Sequence, residues 1–397
     1  MKILSLSTCP LDPLLGSGKT RLRWTEGLRE LGHSVEVAEP RDYETWHGMR
    51  RAIRFRQAWG ACGFVKRKLE SESFDLIEFF GGEFGLITRQ LASMKRRPLV
   101  VAHTDGLELL ASERERAYDP PQSFIERAHA WYAEHTHERL SRAAFVYADA
   151  FVTGCELDRE YVLEHGIFER ERTAVVQPGI DDGYLAMPFI GEKQHRVAYT
   201  GSWIARKGIK KLAAVMTELM TRDGELRFDI YGTGEPRDQV LSCFPRSLHD
   251  RIEVSGRLTN AALAEAMSRA KVFFFPSQYE GFGMALGEAM ACGCAAVTTP
   301  TGFGAELRDG VEALVCGFDD LEAMKQSVER LLTDEATRLA IARAGWERVR
   351  ELSWRSRVRK LEATYESWLR AWKNLASPAT HAAPQGDAVH PSGVTCL

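Results

Sequence analysis

Along this chain, short apolar runs alternate with stretches in which apolar residues recur every three or four positions, and the alternation restarts once. Residues 2–7 predict a strand, and residues 19–31 carry helical spacing that stops at Gly32. Apolar runs bounded by turn residues predict further strands at 34–38, 76–80, 99–102, 151–153 and 174–176, with helical patterns between most of them. After a loop over 177–194 the pattern begins again. Strands are predicted at 196–200, 227–231, 252–254, 272–275 and 295–298, and helices at 210–220, 260–269 and 284–292. Strands alternating with helices imply parallel sheets covered on both faces, so the fold class is α/β with two Rossmann-like units. A last helical pattern over 354–375 presents Trp354, Val358, Leu361, Tyr365, Trp368 and Trp372 at spacings of three or four, a stripe read as packing.

With 397 residues the chain exceeds what one core usually supports, which agrees with two halves. The expected organisation is a first domain over 1–185, a second over 190–352, a closing helix over 353–375 and a disordered tail over 377–397, rich in Pro, Ala, Gly and His. A net charge of -3 gives no global reason to expect nucleic acid, so any basic site is local. Ser5, Ser7, Thr8 and Asp12 make the first residues a poor signal peptide, and no run approaches about 18 uninterrupted apolar residues. A cytoplasmic protein is therefore expected. Of the eight cysteines only Cys292 and Cys294 lie close, one residue apart, which matches no common zinc or redox spacing. Reduced core thiols and no metal site are the reading.

Gly16-Ser17-Gly18-Lys19-Thr20 ends like the phosphate loop of a nucleoside triphosphatase, but Pro13 stands where that motif needs its first glycine. A proline has no N–H to offer a phosphate, so the segment reads as a Gly-rich strand-to-helix turn. Gly16 and Gly18 would then turn backbone amides toward a phosphate or sugar between the domains. A kinase or triphosphatase reading rests on Lys19 alone.

The most informative segment runs Phe273-Phe274-Phe275-Pro276-Ser277-Gln278-Tyr279-Glu280-Gly281-Phe282-Gly283-Met284-Ala285-Leu286-Gly287-Glu288. It reads as a buried strand, a loop with two glycines, and a helix. A carboxylate in the loop and a second one in the helix can address two ends of one ligand, while the glycines let backbone N–H groups approach an anionic or hydroxyl-rich group. The two carboxylates, with seven residues between them and the first within Pro-Ser-x-x-Glu-Gly-Phe-Gly, resemble the signature of the retaining glycosyltransferases of family 4, the group 1 glycosyl transferases with the GT-B fold. Tyr199-Thr200-Gly201 leading to Lys207-Gly208, Tyr231-Gly232-Thr233-Gly234, Val254-Ser255-Gly256 and Pro178-Gly179-Ile180-Asp181 follow in the family's order.

The resemblance implies two Rossmann-like domains facing across a cleft, with the last helix crossing back to the first. It also implies a sugar transferred from a nucleoside diphosphate donor to an acceptor hydroxyl with retention of configuration, without a metal or other cofactor. A UDP-sugar is favoured over a GDP-sugar as co-substrate. Glu288 would accept hydrogen bonds from the donor ribose, and Glu280 would sit near the transferred sugar. Amides of Gly281, Phe282, Gly283 and Met284 would hold sugar hydroxyls and the diphosphate, which Lys207 would neutralise as it leaves. Gly201, Gly232, Gly256, Arg257 and Leu258 complete the implied donor side. Where relatives usually carry an arginine after the Gly201 turn this chain has Ser202, with Arg206 as the candidate replacement.

In the first half the 99–102 strand runs into His103-Thr104-Asp105-Gly106-Leu107-Glu108, at the carboxyl end of a parallel strand, where open sheets place ligands. His103 is the candidate for the residue that contacts the transferred sugar in similar enzymes, with Asp105 as the alternative. Residues 50–68 hold Arg50, Arg51, Arg54, Arg56, Lys66, Arg67 and Lys68 among Phe55, Trp59 and Phe64. They read as a solvated helix face with core aromatics, as peripheral contact with an anionic inner membrane face, or as a dock for a phosphorylated or lipid-linked acceptor. The acceptor class stays open among small molecule, glycan and lipid-linked glycan. The competing function is a non-catalytic nucleotide-sugar-binding or scaffold protein of the same fold, which Ser202 favours slightly.

Overall fold

The computed structural model describes residues 1–12, 16–46, 52–118 and 120–376. Pro13, Arg50, Arg51 and the 377–397 tail lie outside the described residues. Two six-stranded parallel sheets form the frame, with strands in the spatial orders β2-β1-β3-β4-β5-β6 and β12-β11-β10-β7-β8-β9. The first comprises β1 (Lys2–Ser7), β2 (Ser34–Ala38), β3 (Leu76–Phe80), β4 (Leu99–Thr104), β5 (Ala150–Thr153) and β6 (Thr173–Val175). The second comprises β7 (Gln194–Thr200), β8 (Arg227–Tyr231), β9 (Ile252–Ser255), β10 (Ala270–Phe275), β11 (Ala295–Thr298) and β12 (Leu314–Val315). Strand order reverses at β1/β3 in one sheet and at β7/β10 in the other, so each sheet has a crevice at the carboxyl ends of its central strands.

The central strands explain themselves by composition. Phe273, Phe274 and Phe275 of β10 are buried whichever way they point, as a strand covered on both faces requires. β3 is fully buried too, yet carries Glu78 in its middle. The two-residue β12 and the helices Leu321–Thr333 and Glu335–Val349 fill the stretch for which the sequence pattern named no element.

Two expectations are corrected. The Gly16–Glu30 helix takes Gly16 to Gly18 into its first turn, so they are not a turn ahead of it. β4 runs on through His103 and Thr104, which makes His103 a strand residue, held by parallel pairing with β3 and β5, rather than a loop residue.

The helix Trp354–Ala376 packs on the first sheet. Trp354, Val358, Leu361, Tyr365 and Leu369 join Ile3, Trp24, Leu28 and Val101 in one core, with Trp24 and Trp354 edge to face at 5.0 Å. The predicted stripe is core. The cysteines among the described residues are free thiols, and no described helix is long and apolar enough to cross a membrane.

One of the places where the two halves meet closely surrounds Tyr279. Tyr279, just before Glu280, inserts into the core of the first half, where its hydroxyl donates to Asp158 Oδ1 at 2.7 Å. Asp158 Oδ2 accepts from Thr153 Oγ1 and the Leu107 amide, both at 3.2 Å. Next to it, a Cβ on Gly281 would stand 1.8 Å from the Asp105 carbonyl oxygen, so only glycine lets the two loops touch. Gln278 and Arg114 exchange hydrogen bonds alongside, at 3.0 and 3.2 Å.

Burial pushes Asp158 up from 3.8 to about 6, although Tyr279, Thr153 and the Leu107 amide pull the other way. The folded chain therefore holds this proton more tightly than the unfolded one, and the contribution is full below 3.8 and lost as pH rises through about 6. The unfolding free energy of the wild type relative to Asp158→Asn is expected to fall by roughly 3 kcal/mol at most between pH 4 and pH 7. Urea denaturation of both proteins across that range checks it, and a difference that stays flat would mean Asp158 is not protonated on folding.

Candidate active site between the sheets

The carboxyl ends of both sets of strands open on one cavity of about 410 Å³. From the first half it is lined by the start of the Gly16–Glu30 helix, by Phe80 and His103 to Asp105, and by Thr153 and Gly154. From the second half come Thr200 to Ser202, Arg206, Lys207, Arg257, Leu258 and the loop and helix carrying Glu280 and Glu288. Most residues singled out in the sequence thus converge on one space. Three do not line it. Gly18 packs on the backbone of Pro10 and Asp12, Gly281 faces Asp105 and Gly106 as the contact between halves, and Gly256 lies outside the lining.

Two lysine–carboxylate pairs organise the second half's motif. Lys207 Nζ sits 2.6 Å from Glu280 Oε1, and Lys19 Nζ sits 2.8 Å from Glu288 Oε1. Lys19 also reaches Asp181 Oδ2 at 3.0 Å, and Asp181 takes further bonds from Arg23 Nε at 3.0 Å and Asn260 Nδ2 at 2.6 Å. Burial holds Glu288 above the usual carboxylate range, with Lys19 opposing the shift and Asp181 adding to it. Burial also works against the charge on Lys19, but Glu288 and Asp181 more than offset it and raise the lysine above its ordinary value. Arg206 and Arg257 also line the cavity, and neither has an ion-pair partner among the described residues. Local charge is therefore positive in a chain whose net charge is -3.

The helix Met284–Ala291 starts at this cavity after Gly283, so its first amides, which have no partner within the helix, begin beside Glu280 and Lys207. A group with two or more negative charges and several hydroxyls matches this arrangement.

On the first half's side His103 is buried with Nε2 against the Tyr365 hydroxyl, which in turn donates to Glu78. Burial, and then the nearby Arg21, hold its imidazole well below its ordinary pKa. Asp105 is about a third exposed and takes both guanidinium nitrogens of Arg21, at 2.8 and 2.5 Å. The Arg21 guanidinium lies 3.6 Å above the centre of the Phe80 ring.

Lys19, Arg21, Asp181, Glu78 and Tyr365 had no site role in the sequence reading. A signal existed for three of them. Arg21 shares the buried face of its helix with Trp24 and Leu28, Glu78 interrupts an apolar strand, and Tyr365 is the hydroxyl in an otherwise apolar stripe. A polar group at a core position needs a partner, and here the partners form the site.

The basic stretch departs from its reading. In the helix Ile53–Ser71, Phe55 and Trp59 are each 56% exposed, whereas Arg56 is buried against Glu44 at 2.9 Å. Lys68 is bound by Glu36, and Arg54 by Glu108 at 3.2 Å. Much of the positive charge is matched inside the protein, and aromatic rings face outward.

Residues 16–179 match the family described as Glycosyl transferase 4-like domain, and residues 194–334 match Glycosyl transferases group 1. An uncharacterized glycosyltransferase of Methanocaldococcus jannaschii is 25% identical over 42% of this chain and 47% of its own. A GDP-mannose:cellobiosyl-diphosphopolyprenol alpha-mannosyltransferase of Xanthomonas campestris is 25% identical over 45% of this chain and 50% of its own. The chain thus spans about half the length of the curated relatives it matches. The sucrose-phosphate synthase structure from Thermosynechococcus elongatus superposes with a TM-score of 0.75 over 94% of this chain and 100% of its own, at 19% identity. The architecture is the GT-B fold.

Removing Lys19 would leave Glu288 and Asp181 facing each other in a buried site. Lys19→Met is expected to lower stability by about 3 kcal/mol, the scale for breaking a buried ion pair by deleting one partner. Chemical denaturation checks this, and a change below about 0.5 kcal/mol, as for an ordinary surface substitution, would mean that Lys19 does not balance these carboxylates.

Proposed function

The chain belongs to the group 1 glycosyltransferases of the GT4 type, and on that premise we propose that it moves a glycosyl group from a nucleoside diphosphate sugar to an acceptor hydroxyl. Transfer retains anomeric configuration and needs no metal. The observation that carries the reading is the clustering of Lys207, Arg206 and the start of the Met284–Ala291 helix on one side of the cavity. As the glycosidic bond breaks, negative charge grows on the diphosphate, and fixed cations and amides stabilise it without reorganising. Arg206 supplies the charge that Ser202 lacks, since both line the cavity.

Glu288 binds the ribose hydroxyls, sharing its carboxylate with Lys19. Glu280 orients the transferred sugar while its other contact steadies Lys207. Glu280, Glu288 and Asp105 are each given a binding or orienting partner rather than a nucleophilic role in this reading, and the acceptor hydroxyl attacks from the face the leaving group vacates.

A UDP-sugar is the favoured donor, with a GDP-sugar next. The acceptor enters from the first half. A lipid-linked acceptor is supported by Phe55 and Trp59 at 56% exposure, Phe124 at 85% and Trp131 at 61%, all large rings of the first half suited to an interfacial surface. The name of the Xanthomonas relative points the same way for that protein.

Calorimetric titration with UDP, GDP, ADP and UDP-glucose, with and without magnesium, is expected to show metal-independent binding of one nucleoside diphosphate. Binding of none, in folded protein, would favour the non-catalytic reading. Glu288→Ala is expected to weaken that binding. Lys207→Ala is expected to lower kcat by about one to three orders of magnitude with the fold intact, and an unchanged rate would transfer the leaving-group role to Arg206.

A further inference from the structure

A buried polar chain connects the last helix to the cavity. Glu78 sits in the middle of β3 and is 1% exposed. Tyr365, 0% exposed, lies on the Trp354–Ala376 helix and reaches both Glu78 and His103 with one hydroxyl oxygen. His103 Nε2 is 3.6 Å from Glu78 Oε2, too far for a direct hydrogen bond. The His103 ring is fixed on its flanks by Phe80, with centroids 4.3 Å apart, and edge-on by Tyr365 at 5.9 Å.

With Glu78 ionised, counting protons gives the direction of each bond. A tyrosine hydroxyl has one hydrogen. An ionised Glu78, which also accepts from Ser5 and has Arg21 nearby, has no hydrogen to offer, so the hydroxyl donates to its carboxylate and the same oxygen accepts from His103. The imidazole must then carry its proton on Nε2. A neutral ring with Nε2–H has a bare Nδ1, and among the described residues Nδ1 has no partner while His103 lines the cavity.

We infer that Tyr365 is a positioning residue: with Glu78 as its acceptor it holds His103 in the Nε2–H tautomer, so that Nδ1 accepts a hydrogen bond from a hydroxyl of the transferred sugar. The inference rests on the glycosyl-transfer reading for the identity of that hydroxyl, but the tautomer itself does not. It also gives the returning helix a task besides packing. No other described side chain bonds the His103 ring, so a helix some 260 residues further along the chain decides which nitrogen faces the substrate.

The test is nitrogen NMR of ligand-free protein labelled at histidine, with the His103 signals assigned by His103→Gln. The wild type is expected to show a protonated Nε2 and a bare Nδ1. In Tyr365→Phe the ring keeps its packing but loses the fixing oxygen, and a mixture of tautomers is expected. In Glu78→Met the Tyr365 hydroxyl loses its acceptor and turns to donate to His103 Nε2, so the proton is expected to move to Nδ1. The two variants thus push the tautomer differently, and either one that folds decides the matter.

In donor turnover both are expected to lower kcat about tenfold, the scale of one hydrogen bond, with the donor KM changed less than about twofold. A wild-type ring with its proton on Nδ1, a folded variant with an unmoved tautomer, or Tyr365→Phe turning over at the wild-type rate would overturn the inference. A wild type that transfers no sugar at all would instead overturn the proposed function, and the NMR result would still be read from the ligand-free protein.

Discussion

The separation of the two sheets is set where Gly281 touches the Asp105 carbonyl and Tyr279 plugs into the first half's core. Everything the cavity can do depends on that contact. Glu280 and Lys207 flank it in sequence or in space, and His103 and Asp105 lie at the strand end it abuts, so backbone contact here, together with the Lys19–Glu288 bridge, sets the distance between the groups of the two halves. A mobile side chain at 281 would hold the halves apart by its own size. Tyr279 then gives the contact a direction, because its hydroxyl is satisfied only when it reaches Asp158. The same loop that carries Glu280 is thereby the loop that registers one half against the other.

Charge is distributed to suit an occupant that is itself charged. Glu280 and Glu288 would be hard to bury alone, and each has been given one lysine, one from its own half and one from the opposite half. Arg206 and Arg257 are left without ion-pair partners among the described residues. A carboxylate whose cation is already in place is pre-oriented for hydroxyls, while the uncompensated guanidinium groups keep their attraction for phosphate. The opposite arrangement, with arginines spent on the carboxylates, would leave only lysines for the leaving group and lose the bidentate geometry that phosphate recognition favours.

What the sequence revealed follows from how local each signal is. The Glu280-to-Glu288 segment is a strand, a loop and a helix in immediate succession, and its chemistry could be read because all its parts are neighbours in the chain. The alternation of strands and helices was legible for the same reason. The phosphate-loop motif around Lys19 fails at Pro13, yet the partner of Lys19 is Glu288, 269 residues away, and no local pattern carries that information. Aromatics at helical spacing usually face a core, whereas here Arg56 turns inward to Glu44 and the Phe55 and Trp59 rings turn out. Apolar patterning ends at Ala102, whereas parallel pairing extends the strand through His103 on both sides and through Thr104 with β5.

Why the chain returns to its first half at all can be argued from the polar groups it meets there. A helix recruited only to cover the outer face of β1, β3 and β4 would be served by apolar residues throughout, and Trp354, Val358, Leu361 and Leu369 are of that kind. Tyr365 is not, and neither is the Glu78 beneath it, whose burial raises its pKa and whose neutral replacement by Leu or Val would suit the strand better. Two polar residues kept in one core at such a cost imply that their joint partner matters more than the stability lost. That partner is His103, which meets Tyr365 beside this core and lines the cavity. The returning helix therefore closes the first half and orients its active-site face in the same contact.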